Sequence, residues 1–121
     1  MSKTILVVDD SVTVRQQVCS ALAQAGFATT EAKDGQEGKA KIEAGGMAMV
    51  ICDVNMPRMN GIEMLEACKA NGASSGLPIV MLTTEAQPEL ISRAKAAGAA
   101  GWIIKPFKAD LLVAAVKKLA A

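Results

Sequence analysis

Met49-Val50-Ile51-Cys52-Asp53-Val54-Asn55-Met56-Pro57 is the stretch on which the fold turns. Four apolar residues run without interruption into Asp53, and Pro57 followed by Asn60-Gly61 then forces a loop. A short apolar run bounded by turn signals reads as a strand buried on both faces. Asp53 is therefore expected at the carboxyl end of a central strand, where open α/β sheets place their ligands.

Upstream, Thr4-Ile5-Leu6-Val7-Val8 reads as a buried strand that ends in Asp9-Asp10, with Ser11 as N-cap of a helix. Val14, Val18, Ala21, Leu22 and Ala25 form the apolar stripe of that helix, and Gly26 closes it. Phe27 to Ala32 is a less apolar strand, placed at a sheet edge. Asp34-Gly35 starts a second helix that runs to about Ala44, with a poor stripe and Gly38 inside it. Downstream, a helix runs from Ile62 to about Ala70 with Ile62, Leu65 and Cys68 inward, and Asn71 to Leu77 is a loop. Pro78 to Leu82 is a fourth strand ending in Thr83-Thr84-Glu85. Pro88 stands in the first turn of the next helix, where a missing N–H costs little; Leu90, Ala94 and Ala97 face inward and Gly98 ends it. Trp102-Ile103-Ile104 is a fifth strand ending in Lys105-Pro106-Phe107. Leu112, Ala115, Val116 and Leu119 mark the last helix, with Lys117 and Lys118 where the dipole favours cations. Five strands alternating with five helices, each crossover long enough for a right-handed βαβ unit, predict a doubly wound parallel α/β sheet over residues 1–121 as one domain.

Composition narrows the function classes. The 121 residues are 51% hydrophobic, which argues against disorder, and the net charge is +1 from 13 basic and 12 acidic side chains. That balance carries no electrostatic footprint for nucleic acid. One Trp, two Phe and no Tyr leave little to stack bases or flavin rings. No apolar stretch approaches the ~18 residues of a membrane span, so neither span nor signal peptide is expected, and the expected location is the cytoplasm. Cys19, Cys52 and Cys68 are too scattered for a disulfide framework or a zinc site and read as small core residues.

In a parallel sheet all strand ends of one kind lie on one side. Strand one then supplies Asp9 and Asp10, strand three Asp53, strand four the hydroxyl of Thr83, and strand five Lys105. Each residue alone has a plain explanation: a cap, a turn, a solvated lysine. Together they form a pocket of hard oxygen donors beside a cation. Magnesium suits such a pocket, because it accepts one or two carboxylates and keeps several waters. Phosphoryl transfer suits it too, since catalysis there is mostly positioning and charge neutralisation. Asp53 is the candidate nucleophile, because a carboxylate can form an aspartyl-phosphate.

The set Val8-Asp9-Asp10-Ser11, Cys52-Asp53-Val54-Asn55-Met56-Pro57 with Asn60-Gly61, Leu82-Thr83-Thr84-Glu85 and Lys105-Pro106-Phe107 resembles the receiver domain of two-component response regulators over the whole chain. The resemblance implies a flavodoxin-like (βα)5 fold with strand order 2-1-3-4-5. It implies that Asp53 accepts a phosphoryl group from a phosphohistidine on a sensor histidine kinase. Asp9 and Asp10 would hold magnesium, with Asp53 and the backbone carbonyl of Asn55 as further ligands. Thr83 would move to bond the phosphoryl group and Lys105 would pair with it, across a cis Lys105–Pro106 bond. Trp102 would be the switch aromatic, at a position more often Tyr or Phe, and Thr84 is bulkier than the small residue often found beside the Thr. Such a protein catalyses its own phosphorylation and dephosphorylation and is not a turnover enzyme.

The similarity is greatest to the single-domain, chemotaxis-type members, on the run Thr83 to Leu90 and the segment Gly101 to Phe107. If these residues are the whole protein, a monomer is expected whose output runs through a partner such as the flagellar motor switch. The face of helix four, strand five and helix five is where the family meets that partner, and Ile91, Lys95 and Trp102 are candidates on it. A phosphate sink, a phosphorelay intermediate or an unphosphorylated interaction module would keep the same fold. Other classes fit less well. A flavodoxin-type carrier needs a phosphate loop after strand one, where Asp9-Asp10-Ser11 stands. A haloacid-dehalogenase-type phosphatase needs a second Asp two residues after the nucleophile, where Asn55 stands.

Overall fold

The computed structural model describes residues 3–120; Met1, Ser2 and Ala121, the two ends of the expected domain, lie outside the described residues. The elements alternate as expected: β1 (Thr4–Val8), α1 (Val12–Gln24), β2 (Ala28–Ala32), α2 (Gly35–Ala44), β3 (Met49–Cys52), α3 (Gly61–Ala70), β4 (Ile79–Thr83), α4 (Pro88–Ala96), β5 (Gly101–Ile104) and α5 (Ala109–Leu119). All strand pairs are parallel, in the order β2-β1-β3-β4-β5.

The sheet is covered on both faces, which explains its unbroken apolar runs. Leu6, Val8, Val50, Cys52, Ile79 and Met81 face one core, filled by Ile42 of α2, Ile62, Met64, Leu65 and Cys68 of α3, and Ala94 of α4. Ile5, Val7, Met49, Ile51, Val80 and Leu82 face the other, filled by Val18 and Leu22 of α1 and by Leu112 and Val116 of α5. Successive residues of each central strand thus alternate between two buried layers. Of the cysteines read as core, Cys52 and Cys68 are buried, but Cys19 is only partly so. It lies on the flank of α1 beside the edge strand β2, where the covering layer thins out.

Caps fix where the helices begin. Ser11 accepts from the Val14 N–H, Asp34 from the Glu37 N–H, and Asn60 and Glu63 form a reciprocal capping box that starts α3 one residue earlier than expected. Gly38 has a packing reason: a Cβ there would lie 2.8 Å from Met64 Sδ and 3.1 Å from Val8 Cγ2. α2 can approach the sheet only because that atom is missing.

Candidate functional site

Register gathers the polar groups. Val8 of β1 pairs with Cys52 of β3, so the next residues, Asp9 and Asp53, emerge side by side. Thr83 of β4 pairs with Ile104 of β5, so Lys105 emerges just beyond. The backbone ladder continues past the strands: the Asp53 N–H donates to Val8 O (2.9 Å) and the Lys105 N–H to Thr83 O (2.9 Å).

Asp9 is buried; Oδ1 accepts from the Ser11 N–H (2.9 Å) and Oδ2 from Lys105 Nζ (2.8 Å). Asp53 is buried too; Oδ1 accepts from the Val54 N–H (2.7 Å) and Oδ2 from the same Lys105 Nζ (3.1 Å). Lys105 therefore bridges the two carboxylates, across the cis Lys105–Pro106 bond. Asp10 is exposed at the mouth, yet oxygen atoms of Asp9, Asp10 and Asp53 all lie within 4.8 Å of one another. Burial pushes the Asp9 carboxyl up, against the Lys105 and Ser11 hydrogen bonds, and the Asp53 charge adds to the rise. Burial also opposes the Lys105 charge, but the bonds and charges of Asp9 and Asp53 outweigh it and hold the ammonium above its ordinary value. The pocket thus concentrates negative charge against one cation. Three clustered carboxylate donors fit a hard divalent ion such as magnesium, whose chemistry when bound would be to neutralise the oxygens of an incoming anion.

Thr83 is buried, and its Oγ1 accepts from the Glu85 N–H (3.2 Å), which leaves its own O–H free to donate. Asn55 is exposed, and its side-chain amide donates to Glu85 Oε1 (2.5 Å). Trp102 is half-buried; its indole N–H donates to Glu85 O (2.8 Å), and its ring packs on the α4-side core. Ile91, Lys95 and Trp102, the three candidates for a partner face, line one surface groove of about 220 Å³. Thr84 is exposed at the opposite side of the mouth, lining a larger groove with Lys105, Phe107 and α1.

A scan against family models matches residues 5–117 to the response regulator receiver domain. The chain belongs to that family. The receiver is 37% identical to the chemotaxis protein CheY of Pseudomonas aeruginosa over 116 residues, covering 95% of this chain and 94% of the relative. It is 40% identical to CheY-3 of Vibrio cholerae over 116 residues, covering 95% and 89%. Among solved structures, CheY4 of Vibrio cholerae superposes with a TM-score of 0.90 at 39% identity, covering 98% of this chain and 99% of that one. The receiver is thus CheY-like, a signalling domain rather than a turnover enzyme. Among the described residues no helix is long and apolar enough to cross a membrane.

Sequence reading missed the contacts that several residues make near the site. Glu85 meets Thr83, Asn55 and Trp102. Arg15 donates to Asp9 O (2.6 Å) and pairs with Glu31 (2.9 Å). Gly61 is forced by a close approach, since a Cβ there would lie 1.9 Å from Asp53 O. The Asn60-to-Glu63 box was open to detection from its spacing alone. Arg15 carries no local signal, and the motif that contains Glu85 gives no sign of its bonds to Asn55 and Trp102.

Proposed function

We propose that this receiver accepts a phosphoryl group on Asp53 from the phosphohistidine of a sensor histidine kinase, in a magnesium-dependent reaction. One observation carries the reading: Lys105 Nζ lies 2.8 Å from Asp9 and 3.1 Å from Asp53, with the Asp10 carboxylate beside them. Asp53 Oδ would form the new P–O bond as the N–P bond to the kinase imidazole breaks. Lys105 offsets the charge gathering on the phosphoryl oxygens, and the Val54 N–H holds the other carboxylate oxygen in place. Asp9, Asp10 and Asp53 would hold the metal, with the Asn55 carbonyl as a further ligand.

Output through a partner protein is part of the same proposal. The free O–H of Thr83 suits a bond to the phosphoryl group, and making it by moving inward would break the Glu85 N–H contact. Trp102, tied to the carbonyl of that same residue, would report the change to the groove of Ile91 and Lys95. That accessible groove favours an output partner over a pure phosphate sink. The names of the relatives point to chemotaxis, with the flagellar motor switch as the candidate partner, and we place this receiver in the cytoplasm as a monomer. Incubation with acetyl phosphate and magnesium should add one phosphoryl mass to the intact chain, and Asp53→Asn should take none. Labelling of that variant at the wild-type level would reject the acceptor.

A further inference from the structure

We infer that Arg58 is a positioning residue, pinning the loop that follows Asp53 to the start of α2 so that the acceptor carboxylate keeps one orientation; the inference rests on the acceptor reading of Asp53. The starting point is a backbone outlier. Among the described residues Arg58 is the one non-glycine residue with positive φ, at 67°. That conformation is unfavourable for a side chain with a Cβ, and glycine or asparagine would adopt it more readily. Strain of this kind persists only where surrounding contacts enforce it.

The contacts are specific. Arg58 Nη1 donates to Asp34 Oδ2 (2.8 Å), although the Arg58 side chain is 58% exposed. Asp34 is only 3% exposed, and its other oxygen accepts from the Glu37 N–H (2.9 Å), capping α2. It is a fixed post, and a buried oxyanion there needs a donor. A second tie lies next to the first: the Gly35 N–H donates to Met59 O (3.0 Å). The two segments are so close that a Cβ on Gly35 would stand 2.4 Å from that carbonyl. Between these ties the loop folds on itself, with Met59 N–H bonded to Pro57 O (2.8 Å) and Gly61 N–H to Val54 O (2.9 Å). Val54 is the residue whose own N–H holds Asp53 Oδ1 at 2.7 Å. A continuous path of short bonds thus runs from the cap of α2 to the acceptor. Loosening it would disperse the carboxylate among orientations of which only some are productive.

Arg58→Ala, Arg58→Gly, Arg58→Lys and Asp34→Asn separate positioning from stability. Both Arg58→Ala and Arg58→Gly lose the Asp34 partner, but glycine relieves the positive φ that alanine keeps, so Arg58→Gly should unfold at a higher temperature than Arg58→Ala. Both Arg58→Ala and Arg58→Gly should nevertheless take label from acetyl phosphate roughly tenfold more slowly, in the maximal rate rather than in the donor concentration for half-saturation. Hydrogen exchange at the Val54 and Gly61 amides should quicken in both, without donor present. Arg58→Lys should recover part of the rate, and Asp34→Asn with Arg58→Ala should be no slower than either alone. Wild-type labelling rates in both the Ala and Gly variants, or unchanged exchange at Val54, would overturn the positioning role. A wild-type chain that takes no label would instead overturn the acceptor reading, and exchange at Val54 would still judge the pin.

Discussion

Asp10 is the outermost carboxylate of the cluster. It is exposed, and among the described residues it makes no ion pair, yet its carboxylate lies within 4.8 Å of two others. Lys105 answers only Asp9 and Asp53. Like charges that close cost on the order of 1 kcal/mol even with substantial screening. Asp10→Asn should therefore stabilise the metal-free protein, raising its thermal midpoint by about 3–5 °C. Magnesium should stabilise the wild type more than the variant, because one of the three clustered charges is gone. Calorimetry with and without the metal checks both, and a lower midpoint for metal-free Asp10→Asn would contradict the account. The carboxylates, Thr83 and Lys105 were legible in the sequence because each ends an apolar run, and strand ends share one side of a parallel sheet. Arg58 was not legible, since nothing in Pro57-Arg58-Met59 announces a positive φ or a partner at Asp34.

At the scale of elements, the helix starts carry a pH signature. The Asp34 carboxyl is held below the ordinary carboxylate range, first by the Glu37 N–H and then, against its desolvation, by Arg58. The folded state binds that proton less tightly than the unfolded chain does. The resulting stability is full above the unfolded value of about 3.9 and is lost as pH falls through the lower folded value. Asp34→Asn keeps an oxygen for the cap and loses the charge. It should be less stable than wild type at neutral pH, and the gap should narrow below about pH 4. Unfolding midpoints across that range test this, and a constant gap would show that the charge plays no part. The elements themselves were largely legible, because unbroken apolar runs, helical spacing and cap residues are local signals. α2 was the hardest to read from its own residues. Its stripe is short because Gly38 packs against Val8 and Met64 through an absent side chain, and hydrophobic periodicity does not register an absent side chain.

At the scale of the molecule, the order β2-β1-β3-β4-β5 puts Asp53 at the end of a central strand and the groove of Ile91, Lys95 and Trp102 at the β5 edge. The alternation of elements was legible from the chain; the order of strands came only with the family resemblance, because local patterns do not encode which strands are neighbours. Thr83, Glu85 and Trp102 form the bonded path from site to edge. The chain holds one Trp and no Tyr, so indole emission reports Trp102 alone. Beryllofluoride with magnesium should change that emission, and Thr83→Ala should blunt the change; a flat signal at an occupied site would route output elsewhere. The central claim is that Asp53 carries the phosphoryl group, and one measurement reaches it directly. Borohydride reduces an aspartyl-phosphate to homoserine. After phosphorylation with acetyl phosphate and magnesium, reduction and peptide sequencing by mass spectrometry, homoserine should stand at position 53 and at neither Asp9 nor Asp10. Homoserine at either of those positions, or none at 53 in a chain that has gained phosphoryl mass, would contradict the account.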